Sequence, residues 1–142
     1  SLNVSPLVAT LGGTTKVKAD TGKVTFTGLS IAAAGTAFRL IGSAPGLVPD
    51  TSDAFRVYAT AAVATVFVTE PQASIVAGDT IVSVTVETRD ALGNRASTGA
   101  PIALTLIGGD AGATLLGTTS LSGDSARATF SGLRLTRAGS AY

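Results

Sequence analysis

The chain has 142 residues, with 10 Lys and Arg against 9 Asp and Glu, and a formal net charge of +1 at pH 7. Hydrophobic residues make up 45% of it and charged residues 13%, a balance that excludes a disordered segment. It contains no Cys and no His, which excludes disulfides, thiolate metal sites, cysteine nucleophiles and the Ser-His-Asp triad. The balanced charge also argues against a nucleic-acid partner, because phosphate binding needs a basic surface.

No apolar run reaches the roughly 18 residues that a membrane-spanning helix requires. The richest stretch, residues 61–68, is interrupted by Thr65 and followed by Thr69-Glu70-Pro71. We therefore expect no membrane insertion in this segment, and nothing in the composition calls for a cofactor.

The first part of the chain predicts short strands. Lys16 and Lys18 alternate around Val17, as exposed positions on an edge strand do. Ala32-Ala33-Ala34 is the only helix-like run, and Gly35 follows it at once, so we predict a loop there. The other predicted strands of this part are Val24–Phe26, Leu29 with Ile31, Phe38–Ile41 and Phe55–Tyr58.

The second part shows clearer alternation of apolar and polar residues. Within Ile81–Glu87, we predict that Val82, Val84 and Val86 share one face. The other alternating runs are Ala64–Val68, Ile102–Leu106, Ala126–Phe130 and Leu133–Leu135.

Gly, Asn, Asp and Pro lie between these runs, at an interval of about 8–12 residues that is typical of an antiparallel sandwich. The aromatic side chains fall at strand positions, so we predict that they belong to the core: Phe26, Phe38, Phe55, Phe130 and Tyr142.

The chain contains an internal repeat. Residues 9–38 align without a gap to residues 113–142, an offset of 104, with 14 identities in 30 positions. A period of this size suits one immunoglobulin-like sandwich. We therefore predict an all-β fold of immunoglobulin-like antiparallel β-sandwich repeats with a period of 104 residues.

The phase of the repeat predicts the domain organisation. Residues 1–58 correspond to the C-terminal half of one repeat, residues 59–61 to a short junction, and residues 62–142 to the N-terminal part of the next repeat. A short junction favours a stiff rod. Either this sequence is a window on a longer chain, or neighbouring copies supply the missing strands.

Several segments resemble a known family when they are taken in order. They are Val84–Asn94 with its Asp-Ala-Leu-Gly-Asn turn, Ile102–Leu106, Gly112–Gly117, Ala128–Leu135 with Thr-Phe-Ser-Gly-Leu, and Ala138–Tyr142. This order resembles the bacterial immunoglobulin-like repeats of large surface and secreted proteins, including invasin- and intimin-like adhesin stalks. The resemblance implies an extracellular or cell-surface, non-enzymatic tandem stalk or filament, and it carries over no catalytic residue.

Acidic residues in two loops raise the question of calcium. Asp90 and Asn94 flank Gly93 between two predicted strands, a setting in which calcium ligands occur. The spacing lacks the acidic density of a calcium loop, so we favour a turn in which Asp90 binds its own backbone and Gly93-Asn94 take positive φ. Asp50 and Asp53 pose the same question, and we favour a solvated loop. We therefore predict no metal, with Asp90 and Asn94 as weak candidates.

A small basic cluster could face a polyanionic glycan or lipid headgroups. It consists of Lys16, Lys18 and Lys23, with Arg39 and Arg56 elsewhere in the same copy. Ser120 and Ser122 replace the first two lysines in the other copy, which favours the edge-strand interpretation over a shared ligand site.

Enzymatic chemistry finds little support in the sequence. Ser and Thr are plentiful, but none lies in a recognisable pattern with a general base. Glu70 and Glu87 are the only glutamates, and a glycosidase would need such a pair in a cleft with aromatic platforms. An internal Lys–Asn isopeptide bond could use only Asn3 or Asn94.

We therefore expect a structural stalk or filament segment whose partners are neighbouring repeats or other copies of itself. Host or cell-surface glycans are a further candidate partner. The alternatives are a self-assembling fibre subunit completed by strands from neighbouring copies, and a weak carbohydrate- or cell-surface-binding module.

Overall fold

The computed structural model describes residues 2–5 and 9–140, and this part of the chain folds into antiparallel β-strands with no helix. The predicted all-β class is therefore confirmed, and the several antiparallel sheets are consistent with a β-sandwich. The strands are β1 Leu2–Ser5, β2 Leu11–Gly12, β3 Ser30–Ile31, β4 Gly35–Gly42, β5 Asp50–Thr51, β6 Phe55–Val57, β7 Ala64–Thr69, β8 Val84–Arg89, β9 Ile102–Ala103, β10 Leu115–Leu116, β11 Ser120–Leu121, β12 Arg127–Phe130 and β13 Arg134–Leu135.

The chain divides into two compact units, residues 1–59 (unit 1) and residues 60–142 (unit 2). In unit 1, β4 pairs with β1, β5 and β6, while β2 pairs with β3. The ring of Phe38 is buried beside Ala9, and half-buried apolar side chains pack around them. Those half-buried side chains are Leu11, Ile31, Ala33, Leu40 and Val57.

Among the described residues, the core of unit 2 is the larger. The main sheet of this unit has the order β12-β8-β7, and β9–β11 and β10–β13 form two further pairs. The central strand β8 pairs with β12 and β7, and its residues Val84 and Val86 share the face that points into the core, because side chains alternate along a strand. The other buried members of this core are Ile81, Ile102, Ala128, Phe130, Leu133 and Leu135.

A close backbone crossing explains one glycine in each unit. Gly117 has φ +110°, and a Cβ there would lie 2.9 Å from the carbonyl oxygen of Gly132. Gly13 has φ +91°, and a Cβ there would collide with the carbonyl of Gly28. Only glycine tolerates both the left-handed backbone and the missing space.

The structure corrects several predictions for unit 1. Residues 16–18 and Val24–Phe26 form no strand, and Lys16 and Lys18 are exposed without any edge-strand pairing. A single valine between two lysines offers too little apolar surface to hold a strand against a neighbour. The last strand of the unit ends at Val57 rather than Tyr58. The predicted loop at residues 32–34 is confirmed.

In unit 2 the strand predicted from Ile81 begins only at Val84. The N–H of Ile81 donates to the carbonyl of Leu133 at 2.7 Å, which turns Ile81 into the core. Val82 is consequently 52% exposed, and it does not share the buried face of Val84 and Val86. Along the edge strand β7, Phe67 and Val68 are both exposed, so the predicted alternation there gives no buried face.

The prediction that the aromatic side chains belong to the core is confirmed for only some of the described ones. Phe38 and Phe130 are buried, as expected for core residues. Phe26 is half-buried, and Phe55 is exposed, although its ring lies 6.1 Å from that of Phe38. Tyr142 lies outside the described residues.

Candidate functional site

The carboxylate of Asp90 organises the turn that follows β8. Its Oδ1 accepts hydrogen bonds from the backbone N–H of Leu92 (2.9 Å) and of Asn94 (2.8 Å). The carbonyl of Asp90 accepts from the N–H of Gly93, whose φ of +82° lets the chain reverse. This is an Asx turn, a local structure that Asp forms readily.

The other carboxylate oxygen of Asp90 reaches a distant part of unit 2. Oδ2 accepts from the backbone N–H of Thr60 at 3.0 Å, from its hydroxyl at 3.3 Å, and from the side-chain amide of Asn94 at 3.1 Å. Val63 adds a backbone hydrogen bond to the carbonyl of Arg89 at 2.8 Å. The beginning of unit 2 is therefore tied to the end of β8.

The surroundings of Asp90 keep it ionised. Burial alone would raise its pKa, but the hydrogen bonds from the Asn94 side chain and from the N–H groups of Thr60, Asn94 and Leu92 outweigh burial. The net effect lowers the pKa of Asp90 from 3.8 to about 2.

The hydrogen-bond donors around Asp90 form the turn that we favoured over a calcium site. Both oxygens of the Asp90 carboxylate are occupied by hydrogen bonds from N–H and O–H groups, and of Gly93 and Asn94 only Gly93 has the expected positive φ. No group of three or more acidic side chains that could hold a metal occurs within residues 9–140.

Asp50 and Asp53 lie in an exposed segment of unit 1. The side chain of Asp50 accepts from the N–H of Thr51 at 2.8 Å, and the carbonyl of Asp53 accepts from the hydroxyl of Ser52 at 2.8 Å. The hydroxyl oxygen of Ser52 also accepts a hydrogen bond from the backbone N–H of Leu40 at 2.9 Å. These contacts order the chain beside β4.

A basic cluster that the sequence interpretation did not identify surrounds Glu87 on the face of β8 opposite Val86. Glu87 forms ion pairs with Arg89 (3.2 Å), Arg95 (3.5 Å) and Arg127 (3.7 Å). Arg127 on β12 lies directly opposite Glu87 in the β8–β12 pair. The backbones of Arg89 and Arg95 form an isolated antiparallel β-bridge. The contact between Glu87 and Arg89 could have been predicted, because residues two apart on one strand share a face. The contacts of Glu87 with Arg95 and Arg127 depend on which segments the fold brings together.

An apolar groove lies in unit 2, and we call it the core groove. Its volume is about 730 Å³. Phe67 lines it together with several aliphatic side chains, namely Ile75, Leu104, Leu106, Leu115, Leu133 and Leu135. No sequence signal located it, because its residues come from separate segments that only the fold brings together.

The remaining predicted sites are an isopeptide bond, a pair of glutamates and a basic cluster. All three lysines lie in unit 1, so unit 2 holds no lysine with which Asn94 could form an isopeptide bond. The side chain of Asn3 lies outside the described part. Glu70 is exposed, whereas Glu87 is engaged by arginines. Arg56 stacks over the ring of Tyr58 at 5.2 Å.

Comparisons of this chain with protein-family models, curated proteins and solved structures find no match. In the described residues, no helix is both long enough and apolar enough to cross a membrane.

Proposed function

We propose that this chain is a non-enzymatic structural segment of an extracellular bacterial stalk or filament built from immunoglobulin-like repeats. Its task is mechanical, because hydrogen-bonded strands and an aliphatic core resist extension. Localisation at the cell surface and a bacterial source are part of the proposal.

One observation carries the proposal, namely that the two units contain the same local construction at the offset found in the sequence. Leu11 pairs with Ile31 in unit 1, and Leu115 pairs with Leu135 in unit 2, each position displaced by 104 residues. The glycine crossings repeat at the same displacement, from Gly13 over Gly28 to Gly117 over Gly132. Such agreement in strand register supports two copies of one structural unit.

The beginning of unit 2 suits a load-bearing role. A pulling force applied to the chain at Thr60 would act first on the two hydrogen bonds that Thr60 donates to Asp90, and then on the antiparallel β7–β8 ladder. Antiparallel ladder bonds run perpendicular to the strands, so pulling along β7 must shear several of them together.

Force spectroscopy of the single chain, held by handles at both ends, tests the mechanical role. We expect a distinct force peak for unit 2, and a lower peak when Asp90→Asn weakens the attachment of Thr60. Asp79→Asn, an exposed carboxylate of the same unit, should leave the peak unchanged. Extension of the wild-type chain without a force peak would contradict the proposal.

The location is tested separately, on intact cells of the source organism. An antibody against this chain should label unpermeabilised cells, and external protease should remove the label. Labelling that needs permeabilisation would show that the extracellular part of the proposal is wrong.

A further inference from the structure

Three arginines of unit 2 converge on a single carboxylate. Arg89 contacts Oε2 of Glu87, while Arg95 and Arg127 both contact Oε1. We call these four residues the arginine cluster. Its three positive charges face one negative charge, so the cluster carries an excess of positive charge.

The excess charge of the arginine cluster lies at the surface. The arginine side chains are 39–52% exposed, whereas the side chain of Glu87 is 12% exposed. The carboxylate is thus the more buried partner of each ion pair. A ligand that approaches the cluster from solvent therefore meets guanidinium groups rather than the carboxylate.

Glu87 alone cannot satisfy the hydrogen-bond donors of the arginine cluster. A carboxylate offers about four lone-pair sites, whereas three guanidinium groups together carry about fifteen N–H donors. The contacts with Glu87 use Nη2 of Arg89, Nη1 of Arg95 and Nε of Arg127. Glu87 therefore holds the three groups close together while most of their donors stay available for a further anion.

The sheet gives the arginine cluster a fixed geometry. Arg127 lies opposite Glu87 in the β8–β12 pair, and Arg89 follows Glu87 by two residues, on the same face of β8. The backbone of Arg95 is attached to that of Arg89 through their β-bridge. Because these attachments limit the freedom of the arginines before a ligand arrives, less entropy is lost on binding.

Threonine hydroxyls continue the polar face beside the arginine cluster. Thr85 lies opposite Thr129 on β12 and Thr69 on β7, two residues along the strands from Glu87 and Arg127, or roughly 7 Å. The hydroxyls of Thr85 and Thr129 are 3.2 Å apart, and Thr69 and Thr129 are exposed. Hydroxyls both donate and accept hydrogen bonds, as those of a sugar do.

This face suits an acidic polysaccharide better than other polyanions. Single-stranded nucleic acids stack their bases on aromatic side chains, but the aromatic residues of this sheet, Phe67 and Phe130, lie opposite the core-facing Val86 and Val84. Duplex DNA and anionic membranes typically engage larger basic surfaces, of about six to ten phosphate contacts or four to eight basic residues.

We propose that the arginine cluster binds the carboxylate or sulfate groups of an acidic polysaccharide. Arginine suits such groups because its planar fork can donate two parallel hydrogen bonds to one anion, and every basic residue of unit 2 is an arginine. The site goes beyond the proposed mechanical role, which requires no ligand. It would attach the segment to a charged sugar layer.

Fluorescence anisotropy tests the site, with labelled dextran sulfate and labelled polygalacturonate titrated by the full chain at low salt. We expect saturable binding that the double variant Arg95→Gln with Arg127→Gln weakens at least about tenfold, because charge-assisted contacts are lost. Lys16→Gln with Lys18→Gln is the matched control, since it removes the same charge at exposed positions of unit 1. Equal losses in the two double variants, or no binding of either polysaccharide, would overturn the proposal.

The choice of probes identifies the acidic group and the class of ligand. Binding of dextran sulfate alone indicates sulfate groups, binding of polygalacturonate alone indicates carboxylates, and either result supports the proposal. Single-stranded DNA and phosphatidylserine vesicles serve as competitors at matched charge. If either displaces the labelled polysaccharide as well as the unlabelled polysaccharide does, the assignment to a polysaccharide is wrong.

Chemical modification of the wild-type chain keeps the proposal testable if the arginine variant fails to fold. Phenylglyoxal modifies exposed arginines, and mass spectrometry locates the modified positions. Saturating polysaccharide should protect Arg95 and Arg127, and it should leave the exposed Arg56 of unit 1 as reactive as before. Unchanged reactivity of Arg95 and Arg127 would overturn the proposal.

Discussion

At the scale of single residues, the Asp90 side chain shows how a buried charge can be stabilised. The residue is 3% exposed, yet its two oxygens accept hydrogen bonds from Thr60, Leu92 and Asn94. Buried polar groups are tolerated when such partners satisfy them. Asp90 thereby joins a local turn to a residue 30 positions earlier in the chain.

Asp90→Asn should destabilise unit 2 at neutral pH. The substitution removes the charge and places an amide N–H₂ where Thr60 and Asn94 already direct hydrogen-bond donors. Urea unfolding at pH 7 should show a lower midpoint for the variant, with Asp79→Asn as the control. An unchanged midpoint would mean that the turn holds without the carboxylate.

The same carboxylate predicts a pH dependence. Its pKa is lowered from 3.8 to about 2 in the folded chain, so its stabilisation is fully present above the unfolded value and is lost as the pH falls towards 2. The difference in stability between wild type and Asp90→Asn should therefore be constant near neutrality and shrink between about pH 4 and pH 2. A difference that grows in acid would have the wrong sign.

Gly117→Ala tests the close crossing in unit 2. The new Cβ would lie 2.9 Å from the Gly132 carbonyl oxygen, in a backbone with φ +110°. Gly132→Ala is the control, because Gly132 has φ +69° but open space around its Cβ position. We expect about 1 kcal/mol of destabilisation for Gly132→Ala from the backbone alone, and about 1–3 kcal/mol more for Gly117→Ala from the contact. Equal losses in urea unfolding would show that the crossing relaxes freely.

At the scale of strands, Glu87 holds three cations on one face of the β8–β12 pair. Arg89, Arg95 and Arg127 are each 39–52% exposed at the side chain, whereas that of Glu87 is 12% exposed. Exposed ion pairs contribute little individually. Their joint loss matters more, because the three arginines then face each other without an anion.

Glu87→Gln should destabilise unit 2 by about 1 kcal/mol at low salt and by less in 1 M salt, where screening shortens the range of the repulsion. Glu70→Gln makes the same chemical change at an exposed position and should have little effect. Thermal unfolding at both salt concentrations measures the difference. A loss that is independent of salt would point to packing rather than charge.

Strands also show how far the sequence could predict this fold. The buried positions Val84, Val86 and Phe130 were predictable, because alternate residues of a strand face the same side of the sheet. On β7 the pairing with β8 shifts register between Phe67 and Thr69, and Phe67 and Val68 are both exposed. The lysine-bearing residues 16–18 alternate as a strand would but pair with nothing in the described chain.

The candidate sites differ in whether contacts between neighbouring residues or between distant segments form them. The Asp90 turn was predictable from five consecutive residues, since an Asx turn is a local structure. Its bond to Thr60, the arginines around Glu87 and the core groove depend on contacts between distant segments. Periodicity within a segment carries no information on such contacts.

At the scale of the whole molecule, the two units differ in the core that their described residues bury. Unit 2 buries eight hydrophobic residues in one cluster, whereas the described part of unit 1 has two buried cluster members, Ala9 and Phe38. Local stability follows the amount of buried apolar contact, so the units should open with different free energies.

Amide hydrogen exchange measures this difference. We expect the amides of β8, which is paired on both sides, to exchange at least about 100-fold more slowly than those of β2 and β3, after correction for intrinsic rates. Equal protection in the two units would show that the smaller described cluster of unit 1 does not make that unit the weaker one.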